Sequence, residues 1–363
     1  MLKLSLLLFV LILTACEQKT PELPPLEEPT PIADDSGLNT YQLNSELLKR
    51  GQAATTEALD AANALDLAIV QLLNEPTEAN LIAARLQWQL SIDAFYKAQP
   101  YFMVGVDASG GENSSSVAHW PFYPGFIDSY GPYRDSGVIN AIDSPLTLNT
   151  VQRYHQQYDD SELLLGFYPI AYLLWSEYQP RPAKDFVALM DIPATMKDED
   201  IKITQLPQNR RRQMLRLQSE WLLMELETLS ERWANFAANE SLLPTARIRS
   251  ITDSLLLSLE SMLQQIDEGT SLPRQFIRQH QGGLMSQIAN IQAYYLDSGL
   301  AEYWLLAEEQ IQVQQLLAEL QASEEGITGE SLQTLIDRIR PDSAQANNTD
   351  APLNQNIEAT PTQ

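Results

Sequence analysis

Tyr168, Tyr172, Trp175 and Glu177 fall within one short run, GFYPIAYLLWSEYQP at positions 166–180, and these are the side chains best placed to do chemistry. At about 100° per residue, Tyr168, Ala171, Tyr172 and Trp175 share one face of a helix, while Leu163, Ile170 and Leu174 lie nearly opposite. Apolar residues on every side predict a buried central helix. Pro169 has no N–H for the Leu165 carbonyl, so the helix starts at Pro169 or kinks there. The freed carbonyl, the two phenols and the Trp120 indole would then line a polar-edged pocket. The same residues also suit a plain core in which the rings fill space and their hydroxyls satisfy backbone acceptors.

Other catalytic machinery is absent from the sequence. It contains no Gly-rich phosphate loop, no HExxH zinc signature and no GxSxG nucleophile elbow. Three histidines exist. His119 precedes Trp120-Pro121 in a loop and is the best placed, whereas His155 and His280 sit among polar neighbours and read as solvated or satisfied histidines. A hydrolase would need Asp128, Glu177, His119 and the tyrosines to gather in one cleft with perturbed titration. The basic cluster Arg210, Arg211, Arg212 and Arg216 reads as a solvated helix face paired with acidic neighbours.

The elements that must position these residues are helices. Leu43, Leu47, Leu59, Ala62, Leu65 and Leu72 recur at helical spacing over 41–74. Pro76 interrupts, Thr77 caps, and a second helix runs to about Gln99, antiparallel to the first because the connection is short. Residues 100–144 are rich in Gly and Pro and read as a long loop, either functional or a crossover. Asp159 with Glu162 suggests a capping box for the helix of the opening stretch. Further helices are expected over about 208–238, 244–268, 272–296, 299–321 and 331–339. The expected fold class is all-α, with two helical bundles at 39–195 and 196–340 that divide between 179 and 207.

The first residues predict an address. Residues 1–15 carry Lys3 and an apolar run from Leu4 to Leu13, too short for a membrane span of about 20 residues. Leu13-Thr14-Ala15-Cys16 resembles a bacterial lipobox, so lipidation at Cys16 is expected, which removes the sole cysteine as a nucleophile. Residues 16–38 read as a Pro-rich acidic tether and 341–363 as a disordered tail. The expected site is the cell envelope, lipid-anchored at the outer membrane and facing the periplasm, since Glu17 rather than Asp follows Cys16. A formal charge of −25 argues against nucleic acid as a partner.

Two motifs then carry a resemblance. HWPFYPGFID (119–128) resembles the WPxxxxxID stretch of the imelysin-like family, and GFYPIAYLLW (166–175) resembles its GxHxxE motif with the aliphatic run and Trp that follow. NIQAYYL (290–296) is similar to a helix in that family's second half. The resemblance covers roughly 41–338 and implies a lipoprotein or periplasmic protein of two helical bundles, linked to iron acquisition, with some members described as metal-dependent M75 peptidases. On these positions the family's Gly is Gly166, its His is Tyr168 and its Glu is Ala171. Both implied metal ligands are missing. Imidazole and carboxylate at i and i+3 share a helix face and grip a divalent ion, whereas alanine offers no donor and a neutral phenol suits only a strongly acidic ion such as ferric iron. No cofactor is expected, iron through Tyr168 with Asp128, Glu177 or His119 being the weak exception. The expected role is a non-catalytic binding or accessory protein. It would use a groove between the Trp120 loop and the Gly166 helix (His119, Trp120, Asp128, Gly166, Tyr168, Tyr172, Trp175, Glu177) for an iron or haem ligand or an envelope partner. A rearranged peptidase or hydrolase and a structural interaction module are the alternatives.

Overall fold

The structure is a computed structural model that describes residues 40–104, 117–176, 180–194, 201–266, 274–305, 307–323 and 327–340. Cys16, the tether, Glu177 and the tail lie outside the described residues. Helix α1 (Thr40–Asn74) buries Leu43, Leu47, Gly51, Thr55, Ala58, Ala62, Leu65, Ile69 and Leu72. Those steps of three and four put one stripe toward the interior. Pro76 ends the helix, and the Thr77 hydroxyl accepts from the Asn80 N–H to cap α2 (Glu78–Phe102). The remaining helices are α3 (Pro124–Ile127), α4 (Leu148–Tyr154), α5 (Phe167–Trp175), α6 (Pro207–Ala237), α7 (Pro244–Gln265), α8 (Arg274–Ile291), α9 (Leu300–Trp304), α10 (Ala307–Ala322) and α11 (Gly329–Ile339). Among the described residues there is no strand, only an isolated bridge between Tyr130 and Tyr133. No helix of the described residues is long and apolar enough to cross a membrane.

The fold is all-α, and the described residues form two hydrophobic cores. The first gathers Ala58 to Leu72 of α1, Leu81 to Phe95 of α2, all of α5 and Met214 to Leu229 of α6. The second gathers Leu43 and Leu47 of α1, Tyr101 of α2, Trp233 of α6 and the inner faces of α7 to α11. The passage at 179–207 therefore does not separate them. Helices α1, α2 and α6 each contribute to both cores. A 35-residue helix is about 50 Å long at 1.5 Å per residue, more than one core can cover, so successive turns of one face meet different partners.

Helix α5 is buried from Phe167 to Leu174, as its all-round apolarity predicts. It begins at Phe167 and places Pro169 in the first turn, where the missing N–H would have no intrahelical acceptor. The expected capping box is not its start. Asp159 instead accepts from the Ser161 N–H and Oγ, ordering a turn upstream. The cap is Gly166, at φ 108° and ψ −177°, a region essentially restricted to glycine. Ser176 occupies the same region at the other end, φ 65° and ψ −173°, with a Cβ to accommodate. Ser176→Gly is accordingly expected to raise the unfolding free energy by about 1 kcal/mol, since strain of this kind costs of order 1–3 kcal/mol and glycine gives part back as unfolded-state entropy. Equilibrium denaturation checks this, and a destabilised variant would contradict it. Beyond α8 the chain widens into a π turn, Gln292–Leu296, where Tyr294 donates to the Lys97 carbonyl and Tyr295 to the Ile339 carbonyl.

Candidate functional site

Tyr168 projects from the first turn of α5 into the first core and is completely buried. Its hydroxyl lies 2.9 Å from the Tyr96 hydroxyl on α2 and 3.0 Å from His280 Nδ1 on α8. The ring proton of His280 is assigned to Nε2, which has no hydrogen-bond partner of good geometry among the described residues, although the Gln265 backbone acts on the ring. Nδ1 is then the acceptor, Tyr168 donates to it, and Tyr96 donates to the Tyr168 oxygen. The Trp120 indole stacks on the His280 ring, 4.5 Å between centroids and 6° from parallel. Trp120 and Phe122 also flank the Tyr168 ring, at 5.1 and 6.1 Å. Phe276 from α8 closes the far side against Phe122 and Tyr172.

His280 is the residue the sequence reading missed. It is 5% exposed, not solvated, because α8 packs closely on α2. Gly283 permits that approach: a Cβ there would lie inside the Tyr96 ring, whereas Gly282 faces open space. The Gly-Gly pair two and three residues after His280 was the available signal. Burial depresses the imidazole to about 3, against a smaller opposing effect of the Gln265 backbone, and pushes the Tyr96 phenol up to about 12. Tyr168 is raised well above the ordinary tyrosine value, by burial first and by Tyr96 second. The triad is neutral around pH 7.

The other candidates fall elsewhere. Tyr172 donates 2.6 Å to the Ser129 carbonyl, the role of a core phenol that satisfies backbone. Asp128 is buried and accepts from Arg211 Nε at 2.6 Å and Arg181 Nη2 at 3.4 Å. Burial acts to raise its carboxyl, but Arg211 and then Arg181 outweigh that and hold it below the usual carboxylate range. Trp175 packs edge-on against Trp88 at 5.4 Å and lies beneath the Arg85 guanidinium. His119 lies near His155 and Asp159, on which its charge acts. His155 is likewise not a free surface group. Its Nδ1 accepts from the Leu164 and Leu165 N–H groups, and burial lowers it to about 4, with His119 adding to the effect.

The arginine cluster is not the solvated face its charge predicts. Arg210 is 3% exposed and donates to four backbone carbonyls, those of Val138, Ile139, Ala141 and Ser144. Arg211 holds Asp128, and Arg212 bonds the Phe186 carbonyl. Only Arg216, paired with Asp66 and Glu220, resembles the expected ion-paired face. Arg210 and Arg211 pin the 128–144 stretch of the loop that carries Trp120 to α6.

The space between the Trp120 loop and α5 is thus filled by Trp120, Phe122, Tyr168 and Phe276. At the GxHxxE position, Ala171 supplies no donor and the Tyr168 oxygen is engaged on both sides. Among the described residues no three His, Cys, Asp or Glu side chains gather to hold a metal. The donor set there does not fit a divalent metal.

The structure resembles the crystal structure of an imelysin-like protein from Psychrobacter arcticum 273-4, with a TM-score of 0.53 and 15% identity over 83% of this chain and 92% of that one. No curated protein matches the chain. The family model of imelysin, Peptidase M75, matches residues 51–361. With the motif positions, the helical architecture and that match in agreement, the chain belongs to the imelysin family.

Proposed function

We propose that this imelysin-family chain is a non-catalytic accessory or binding lipoprotein of the cell envelope. One observation carries the reading. Where the family motif places His and Glu, this chain has a buried phenol locked between Tyr96 and His280, and a methyl group. A phenol raised by burial is a poor ligand, and Asp128 is engaged by two arginines, which speaks against a metal centre at the GxHxxE position and against Asp128 as a general base. The filled groove favours action through the outer surface on an envelope partner over enclosure of a small ligand. The rim of the same loop exposes Tyr123 and Tyr133 for such contact. Outer-membrane attachment through Cys16 rests on the lipobox, and a place in iron or haem handling rests on family resemblance.

The test uses the chain from residue 16 with Cys16→Ser, purified without chelator. Elemental analysis and titration with zinc, ferric iron and haem are expected to show no stoichiometric binding, and incubation with unfolded protein substrates no proteolysis. Stoichiometric metal that is lost in Tyr168→Phe, or metal-dependent proteolysis, would overturn the proposal.

A further inference from the structure

We propose that Tyr168 and His280 form a proton-coupled one-electron relay, fed from the surface through Trp88 and Trp175. The inference is independent of the accessory role above. It stands on a buried phenol with a base at 3.0 Å and on a continuous series of oxidisable rings. Trp175, half-buried, touches Trp88 at 5.4 Å between centroids, and Trp88 touches Tyr168 at 6.3 Å.

Removing one electron from a phenol turns it into a strong acid, so it must release its proton at once. Inside a protein that release needs an internal base, because a buried cation radical is prohibitively costly. His280 Nδ1 is that base, neutral and already hydrogen-bonded. The oxidant is a one-electron acceptor at the surface, a high-valent metal complex or an oxygen-derived radical. It takes an electron from Trp175. Trp88 refills Trp175, Tyr168 refills Trp88, and the phenolic O–H bond breaks as its proton passes to His280 Nδ1. The products are the reduced oxidant, a neutral Tyr168 phenoxyl radical and an imidazolium.

Three contacts favour that end state. Trp120, stacked on His280, presents a π face to the new imidazolium. Tyr96 donates to the phenoxyl oxygen at 2.9 Å. Arg85, 5.5 Å over the Trp175 ring, makes a positive charge there unfavourable and drives the hole inward.

The experiment is flash oxidation of the intact chain by tris(bipyridine)ruthenium(III), with persulfate as terminal acceptor, followed by transient absorption and electron paramagnetic resonance. Exposed tyrosines such as Tyr133 and Tyr158 give short-lived radicals that couple with one another and serve as an internal control. The expected result is an additional long-lived neutral tyrosyl radical whose yield does not depend on buffer base. That component is lost in Tyr168→Phe and greatly shortened in His280→Leu, with the short-lived signal unchanged. Absence of a long-lived radical in the unaltered folded chain overturns the relay without recourse to any variant. Its persistence in Tyr168→Phe does the same.

Discussion

Asp128→Ala is expected to destabilise the fold by about 3–5 kcal/mol, the cost of removing one partner from a buried ion pair. The carboxylate is 1% exposed and Arg181 and Arg211 are 7% and 13% exposed, so neither guanidinium can recover water when the acceptor goes. Arg181 keeps a second, longer contact with Asp185 at 3.8 Å, while Arg211 loses contacts to both carboxylate oxygens. The Ser129 N–H and Asn140 side chain lose an acceptor as well. Asp128→Asn, which keeps an acceptor but not the charge, is expected to fall between the alanine variant and the parent chain. Urea denaturation with an unchanged m-value is the measurement. A loss below about 1 kcal/mol for the alanine variant would place Asp128 among weak surface pairs and refute its role as the clamp of the Trp120 loop.

Acidification should weaken the protein in two separable stages. His280 is held neutral at about 3 in the folded state against 6.5 ordinarily, so the unfolded chain binds the proton more readily. Its contribution is complete above 6.5 and is lost progressively as pH falls toward 3. Linkage gives about 2 kcal/mol lost between pH 7 and pH 5, and His155, lowered to about 4, adds a loss of similar size. Asp128 enters only later. Its depressed carboxyl stabilises the fold above the ordinary value of 3.8 and loses that effect as pH falls through the folded value. The unfolding free energy measured at pH 7, 6 and 5 should therefore decline before Asp128 titrates, and His280→Gln should flatten part of the decline. Constant stability from pH 7 to 5 would mean that the imidazoles are not buried neutral.

How much was legible in the sequence differs by element. The α1–α2 pair and the Thr77 cap were readable because helical period and capping chemistry are local properties of the chain. So was the burial of α5, since a helix that is apolar on all sides has no face for water. The start of α5 was misplaced, because Asp159 with Glu162 satisfies the capping pattern while Gly166, through backbone geometry alone, makes the actual cap. The arginines at 210–212 look like a solvated face in any sequence reading, since charge identifies a side chain that needs partners without saying whether those partners are water or carbonyls.

The sequence by itself determined that this chain is a helical protein with a GxHxxE-like helix lacking both ligands, because period, composition and residue identity suffice for that. Only the tertiary structure decided what replaces them. His280 lies 112 residues from Tyr168, and their meeting depends on α8 approaching α2 at Gly283 closely enough for an imidazole to reach a phenol. Asp128 meets Arg211 across 83 residues for a similar reason, the docking of the Trp120 loop on α6. Such pairings follow from how faces pack. One chain's polar residues carry no mark of the partner they will find.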